Sequence, residues 1–229
     1  MDGIAKSLAK PAQLRVEAKP RPRSEAKRAR IVDTAIRHFA EHGYSAARVE
    51  DIAAELEIAK GSVFQHFKSK DGLFFEAYKK AVQSFPKYME APEEWQELGF
   101  FDVLRYWLSR TENMVRDNWA SYRIYLVGNY GTDLSLRREI NRFLVAEDPY
   151  GWHDFVRYGL TRGELRSDLD ADMIGSILEW TMDRFQDALL TEELDPGLFR
   201  KQGPIPEKKE ARIEQFVELL RRAIGSEKV

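Results

Sequence analysis

Lys60, Ser62, Gln65 and His66 fall in one short run, KGSVFQHF, and each ends in a hydrogen-bonding group. They are read as the outward face of a short helix whose Val63 and Phe67 point inward. A small, polar, partly basic face of this kind fits a major groove, where side chains reach base edges. Lys68 and Lys70 follow at once and suit phosphate contacts. The plain alternative is a solvated face on a small helical core, which periodicity alone does not exclude.

The surrounding elements read as helices. Ile31, Ala35 and Phe39, flanked by Val32 and Ile36, predict a helix from about Glu25 that Gly43 stops. Val49, Ile52, Ala53 and Leu56 predict a second helix of two turns, and the run above is the third. Ser69 reads as the N-cap of a fourth helix through Leu73, Ala77 and Ala81, with Asp71 at its positive end and Pro86 bending or ending it. Helices this short are not stable alone, so they must bury their apolar stripes on one another.

Further segments are expected over Phe101 to Val115, Trp119 to Val127 (broken by Gly128, Asn129 and Gly131) and Leu134 to Ala146. Pro149 is expected to open a helix reaching Arg162. Asp170 reads as an N-cap before the stripe Ile174, Ile177, Leu178, Thr181, Phe185, Leu189, and the last helix carries Ile213, Phe216, Val217, Leu220 and Ile224. No strand-like alternation of any length occurs, and the fold class is all-α.

Composition narrows the function. Residues 1–80 carry 16 Lys and Arg against 11 Asp and Glu, whereas the remainder carries 20 against 27. A basic first part points to an anionic partner. The chain has no cysteine and four scattered histidines, which leaves no thiol chemistry and no convincing metal site. No cofactor is expected. No apolar run of membrane-spanning length and no secretory signal is visible, so a cytoplasmic protein is expected. Residues 1–24, rich in Lys, Arg and Pro, read as a flexible basic arm.

Residues Arg28 to Tyr78 resemble the DNA-binding domain of the TetR family of bacterial repressors. The resemblance rests on Phe39 with Gly43-Tyr44, then VEDIA at Val49–Ala53, then Lys60-Gly61-Ser62, then Phe67-x-Ser69-Lys70-Asp71-x-Leu73. It implies a three-helix helix-turn-helix domain over 25–72 and a larger helical ligand-binding and dimerisation domain over 73–229. DNA contacts are expected from Arg48, Lys60, Gly61, Ser62, Phe64, Gln65, His66 and Lys70. Three positions depart from the family pattern. Ala47 replaces a capping hydroxyl, Glu57 stands where glycine is common, and Phe64 replaces a tyrosine and so cannot donate.

The resemblance further implies a homodimer, paired through helices near Asp170–Leu190 and Glu207–Ile224, on a palindromic double-stranded DNA operator. A small, largely apolar effector is expected in the second domain, lined by Trp107, Met114, Tyr122, Phe155 and Trp180. Arg123 and Arg184 are candidates to meet an anionic ligand. A helical protein-interaction adaptor and an all-α enzyme are the rival readings. The enzyme lacks a constellation, since His153-Asp154 is a bare dipeptide.

Overall fold

A computed structural model describes residues 22–86, 97–200 and 207–227. Helices α1 (Pro22–Ala46), α2 (Val49–Glu55), α3 (Lys60–Phe67) and α4 (Lys70–Val82) come first. They are followed by α5 (Phe100–Asp117), α6 (Trp119–Tyr130), α7 (Leu134–Glu147), α8 (Trp152–Thr161), α9 (Ala171–Leu190) and α10 (Glu207–Ile224). Among the described residues the only β feature is an isolated antiparallel bridge between Leu165 and Gly225. The basic arm expected over 1–24 lies outside the described residues as far as residue 21, and α1 already begins at Pro22.

Local chemistry accounts for several helix ends. Gly43 breaks the regular path of α1 at φ 72°, a backbone that glycine takes without a Cβ penalty. Ser69 caps α4, its hydroxyl accepting from the Gly72 N–H at 3.0 Å. Asp170 caps α9, accepting from the Met173 N–H at 2.9 Å.

Three expected boundaries are corrected. α4 ends at Val82, ahead of Pro86, so the proline neither bends nor ends it. Gly128 does not break a helix but lies inside α6, against the buried Tyr78 ring. A Cβ there would sit 2.5 Å from Tyr78 Cε2, so glycine is required by the neighbour across the core. Pro149 does not open a helix; α8 starts at Trp152, where the Asp148 carboxylate accepts from the N–H groups of Trp152 and His153 at 2.9 and 3.0 Å.

Two apolar cores result. The first joins Ile31, Phe39, Ile52, Val63, Leu73 and Tyr78 to Ile124 of α6 and Ile140 of α7. The helix-turn-helix segment is therefore seated on α6 and α7, and α4 runs across the expected boundary at residues 72 and 73. The second core gathers Phe100, Leu104, Phe155, Leu178, Val217 and Ile224.

Candidate nucleic-acid interface and interior cavity

Val63 and Phe67 are buried, as the helical period of α3 requires, and this turns the opposite side of α3 outward. Gly61 and Gln65 are exposed, Ser62 and His66 half-buried. Phe64 packs partly against the first core, and the Lys60 ammonium lies 5.4 Å from its ring centroid. Lys60 also pairs with Glu50 of α2 at 2.6 Å, and this ammonium holds the Glu50 carboxyl below its usual range. Lys70 reaches back to the Ser45 carbonyl at 3.1 Å and lies over the Tyr44 ring at 4.9 Å. Lys70 therefore also fastens α4 to the end of α1.

The α2–α3 turn departs from the usual glycine solution. Glu57 sits at φ 55°, and the turn is closed by N–H donation from Glu57 to the Ala54 carbonyl and from Ile58 to the Ala53 carbonyl, both 3.0 Å. The capping position of α2 is corrected from Ala47 to Arg48, which stands exposed and makes no side-chain cap bond because its guanidinium has no acceptor, while Ala47 is buried behind it. Glu55 binds both Arg37 and His38, the latter at 2.7 Å, which ties α2 to α1.

A small cavity of about 50 Å³ lies between the two cores. Met114, Tyr122 and Tyr125 reach it from the first core, Trp152 and Met182 from the second. Phe85, just past the end of α4, closes one side. Of the residues named from sequence, Trp107, Met114 and Tyr122 are in this lining. Phe155 does not: it stands one layer behind, stacked on Phe100 at 4.2 Å and against Trp107 at 4.6 Å. Trp180 does not either; it lies on the outer side of α9 and is 62% exposed. Arg123 and Arg184 are absent from the lining, and Arg184 instead donates to the Tyr130 hydroxyl at 2.6 Å.

Sequence reading missed Phe85, Tyr125, Trp152 and Asp183 in the lining, along with Tyr150 and Gln186. A partial signal existed in the helical spacing of Tyr122 with Tyr125 and of Met182 with Gln186. Asp183 carries the cavity's charge. Burial, reinforced by Asp187 nearby, pushes its carboxyl up to about 7. Asp187 accepts from Tyr122 at 3.0 Å and Tyr130 at 2.6 Å, and burial raises its carboxyl as well.

Comparisons with known proteins agree with this architecture. Residues 31–77 match the family described as "Bacterial regulatory proteins, tetR family". The HTH-type transcriptional repressor AcnR of Corynebacterium diphtheriae is 29% identical over 163 residues, covering 69% of this chain and 78% of the relative. A TetR transcriptional regulator from Chloroflexus aurantiacus shares the fold at TM-score 0.56 and 18% identity, over 89% of this chain and 98% of that one. FadR of Bacillus subtilis, solved in complex with stearoyl-CoA, does so at TM-score 0.60 and 21% identity, over 84% and 96%. No helix among the described residues is long and apolar enough to cross a membrane. With the matched segment set on the shared helical fold, residues 31–77 carry the domain of the tetR family of bacterial regulatory proteins, and the chain is similar over about two thirds of its length to an HTH-type transcriptional repressor.

Proposed function

We propose that this regulator is a homodimeric repressor that leaves a palindromic operator when a small, largely apolar effector occupies the cavity between the two cores. The observation that carries the reading is α4. Its start is capped by Ser69 beside α3, and the chain just past its end sets Phe85 into the cavity wall. Any ligand that moves Phe85 therefore bears on the helix that holds the DNA-facing unit.

The cavity volume supports an effector that acts by shifting conformation. Ligand sites commonly enclose roughly 300–1,000 Å³, and this interior holds about 50 Å³. A ligand must widen it, so it favours the widened state by its full difference in affinity. In the dimer, two copies of α3 enter successive major grooves about 34–36 Å apart. Arg48, Lys60 and Lys70 supply charge to phosphates, while Ser62, Gln65 and His66 face base edges beside Gly61 and Phe64.

The dimer is assigned to α9 and α10. Met173 and Trp180 on α9 and Leu219 on α10 are large apolar side chains left exposed in the single chain. A second copy is the occupant that would cover them, as in the resembling family. Selection of bound fragments from random duplex DNA, with the solution mass measured alongside, tests the reading. A two-fold symmetric site bound by a dimer is expected. Recovery of no symmetric site, or a stable monomer at micromolar concentration, overturns it.

A further inference from the structure

The charges and unpaired donors around the cavity define a ligand class. Among the described residues its lining contains one carboxylate, Asp183, and no lysine, arginine or histidine. Glu179, Asp183 and Asp187 follow at four-residue spacing along α9, and none forms an ion pair within 4 Å among the described residues. The rings of Phe85, Tyr122, Tyr125 and Tyr150 line the same cavity as Asp183, and the faces of such rings attract cations.

The second observation is independent of charge. Trp152 is 7% exposed, and its indole Nε1 is buried with no hydrogen-bond partner. The Tyr150 hydroxyl and the Trp107 Nε1 are in the same condition, and all three residues line the cavity. Each is a donor, and a buried donor without an acceptor costs free energy that a ligand acceptor would recover.

We propose that the cavity takes an organic ammonium ion that also carries a hydrogen-bond acceptor. Its cationic nitrogen is held among the tyrosine faces by the Asp183 carboxylate, and its acceptor by the Trp152 indole and its neighbouring donors. Met114 and Met182, the flexible side chains of the lining, move to give it room. The raised carboxyl of Asp183 agrees with this, since it marks a buried acid with no cation beside it. A carboxylate anion has the wrong sign of charge for such a site. The proposal rests on the reading of this cavity as the effector site.

Calorimetry on the full-length protein without DNA tests it with three probes of similar size. They are 2-methoxyethyl-trimethylammonium, its neutral carbon isostere 1-methoxy-3,3-dimethylbutane, and the anion 3-methoxypropanoate. The cation is expected to bind about ten-fold or more tightly than the isostere, with the anion weakest. Asp183→Asn is expected to remove that preference while leaving the isostere's affinity unchanged, and Trp152→Phe to weaken cation and isostere alike. The wild-type comparison stands even if a variant fails to fold. Equal binding of cation and isostere, preference for the anion, or no saturable binding of the cation overturns the proposal. Operator release is measured separately: binding of the cation with no change in operator affinity refutes the effector reading and leaves the ligand class intact.

Discussion

Phe85 meets Tyr125 edge to face, with ring centroids 6.1 Å apart and planes at 74°, which joins the end of α4 to the cavity wall on α6. Tyr125 is in turn the hydroxyl partner of Asp183. On the proposed reading, a path from the ligand's charge to the DNA-facing helices runs through this aromatic contact. Substituting Phe85→Leu keeps an apolar side chain and is expected to cost roughly 1 kcal/mol of stability. Operator affinity without ligand should change little, whereas the loss of affinity on adding ligand should shrink. Operator titrations with and without ligand, beside thermal melts, check both halves.

On the proposed reading, DNA phosphates compete with Glu50 for the Lys60 ammonium. Lys60→Ala is expected to weaken operator binding and to reduce the slope of log K against log salt by about 0.9 for one lost phosphate contact. Glu50→Gln should act in the opposite direction, freeing the ammonium and removing a negative charge from the face. Titrations at several salt concentrations distinguish the two. An unchanged slope in Lys60→Ala would remove Lys60 from the phosphate contacts.

Lys70 differs because it also binds the Ser45 carbonyl. Lys70→Ala should lower both operator affinity and thermal stability, and Lys60→Ala operator affinity alone. Parallel melting curves of the two variants test that asymmetry.

Gly128→Ala would thrust a methyl into the Tyr78 ring, which is fully buried and has no space to retreat. Overpacking of this kind costs typically about 1–3 kcal/mol. Tyr78→Leu in the same chain should recover part of the loss. Denaturant unfolding of the single and double variants measures the coupling.

The acids of α9 give a pH dependence with a definite sign. The folded state holds the Asp183 proton up to about 7, while the unfolded chain releases it near 3.9 or so. Between these values the folded state binds more protons, so stability present in acid is lost as pH rises through the window. Asp183 is met by Tyr125 on α6, Tyr78 on α4 and Tyr150 ahead of α8, with Arg137 and Arg184 lining a neighbouring groove it shares, and by Asp187 and Glu179 on its own helix, whose two acids push in the same direction. Asp183→Asn should flatten the decline between pH 5 and about 7.5, as followed by urea midpoints.

The helices were legible because stripes such as Ile31, Ala35 and Phe39 depend only on period, and the Ser69 and Asp170 caps because they depend on adjacent residues. Gly128 misled because its reason lies across the core, in Tyr78, far along the chain. Pro149 misled because Asp148 supplies the cap with its side chain. The cavity was half legible. Trp107, Met114 and Tyr122 sit on faces that helical spacing marks as apolar, but spacing does not say which apolar ring is outermost, so it does not tell that Phe155 stands a layer behind this cavity and Trp180 on the outer side of α9. Asp183 escaped because an acid beside an apolar stripe reads as the solvent edge of a helix. Glu57 was different: a non-glycine at a turn that wants φ above zero is visible from sequence, and φ 55° is what it adopts.

The near-filled interior between the cores also bears on time. With so little empty space, a molecule arriving at the surface must wait for the methionines and rings to part before it fits. Its arrival should then run well below the roughly 10⁵–10⁷ M⁻¹s⁻¹ of ordinary encounters and rise steeply on warming. The delay before the regulator answers its signal would be set by the breathing of its own walls rather than by how fast the signal diffuses.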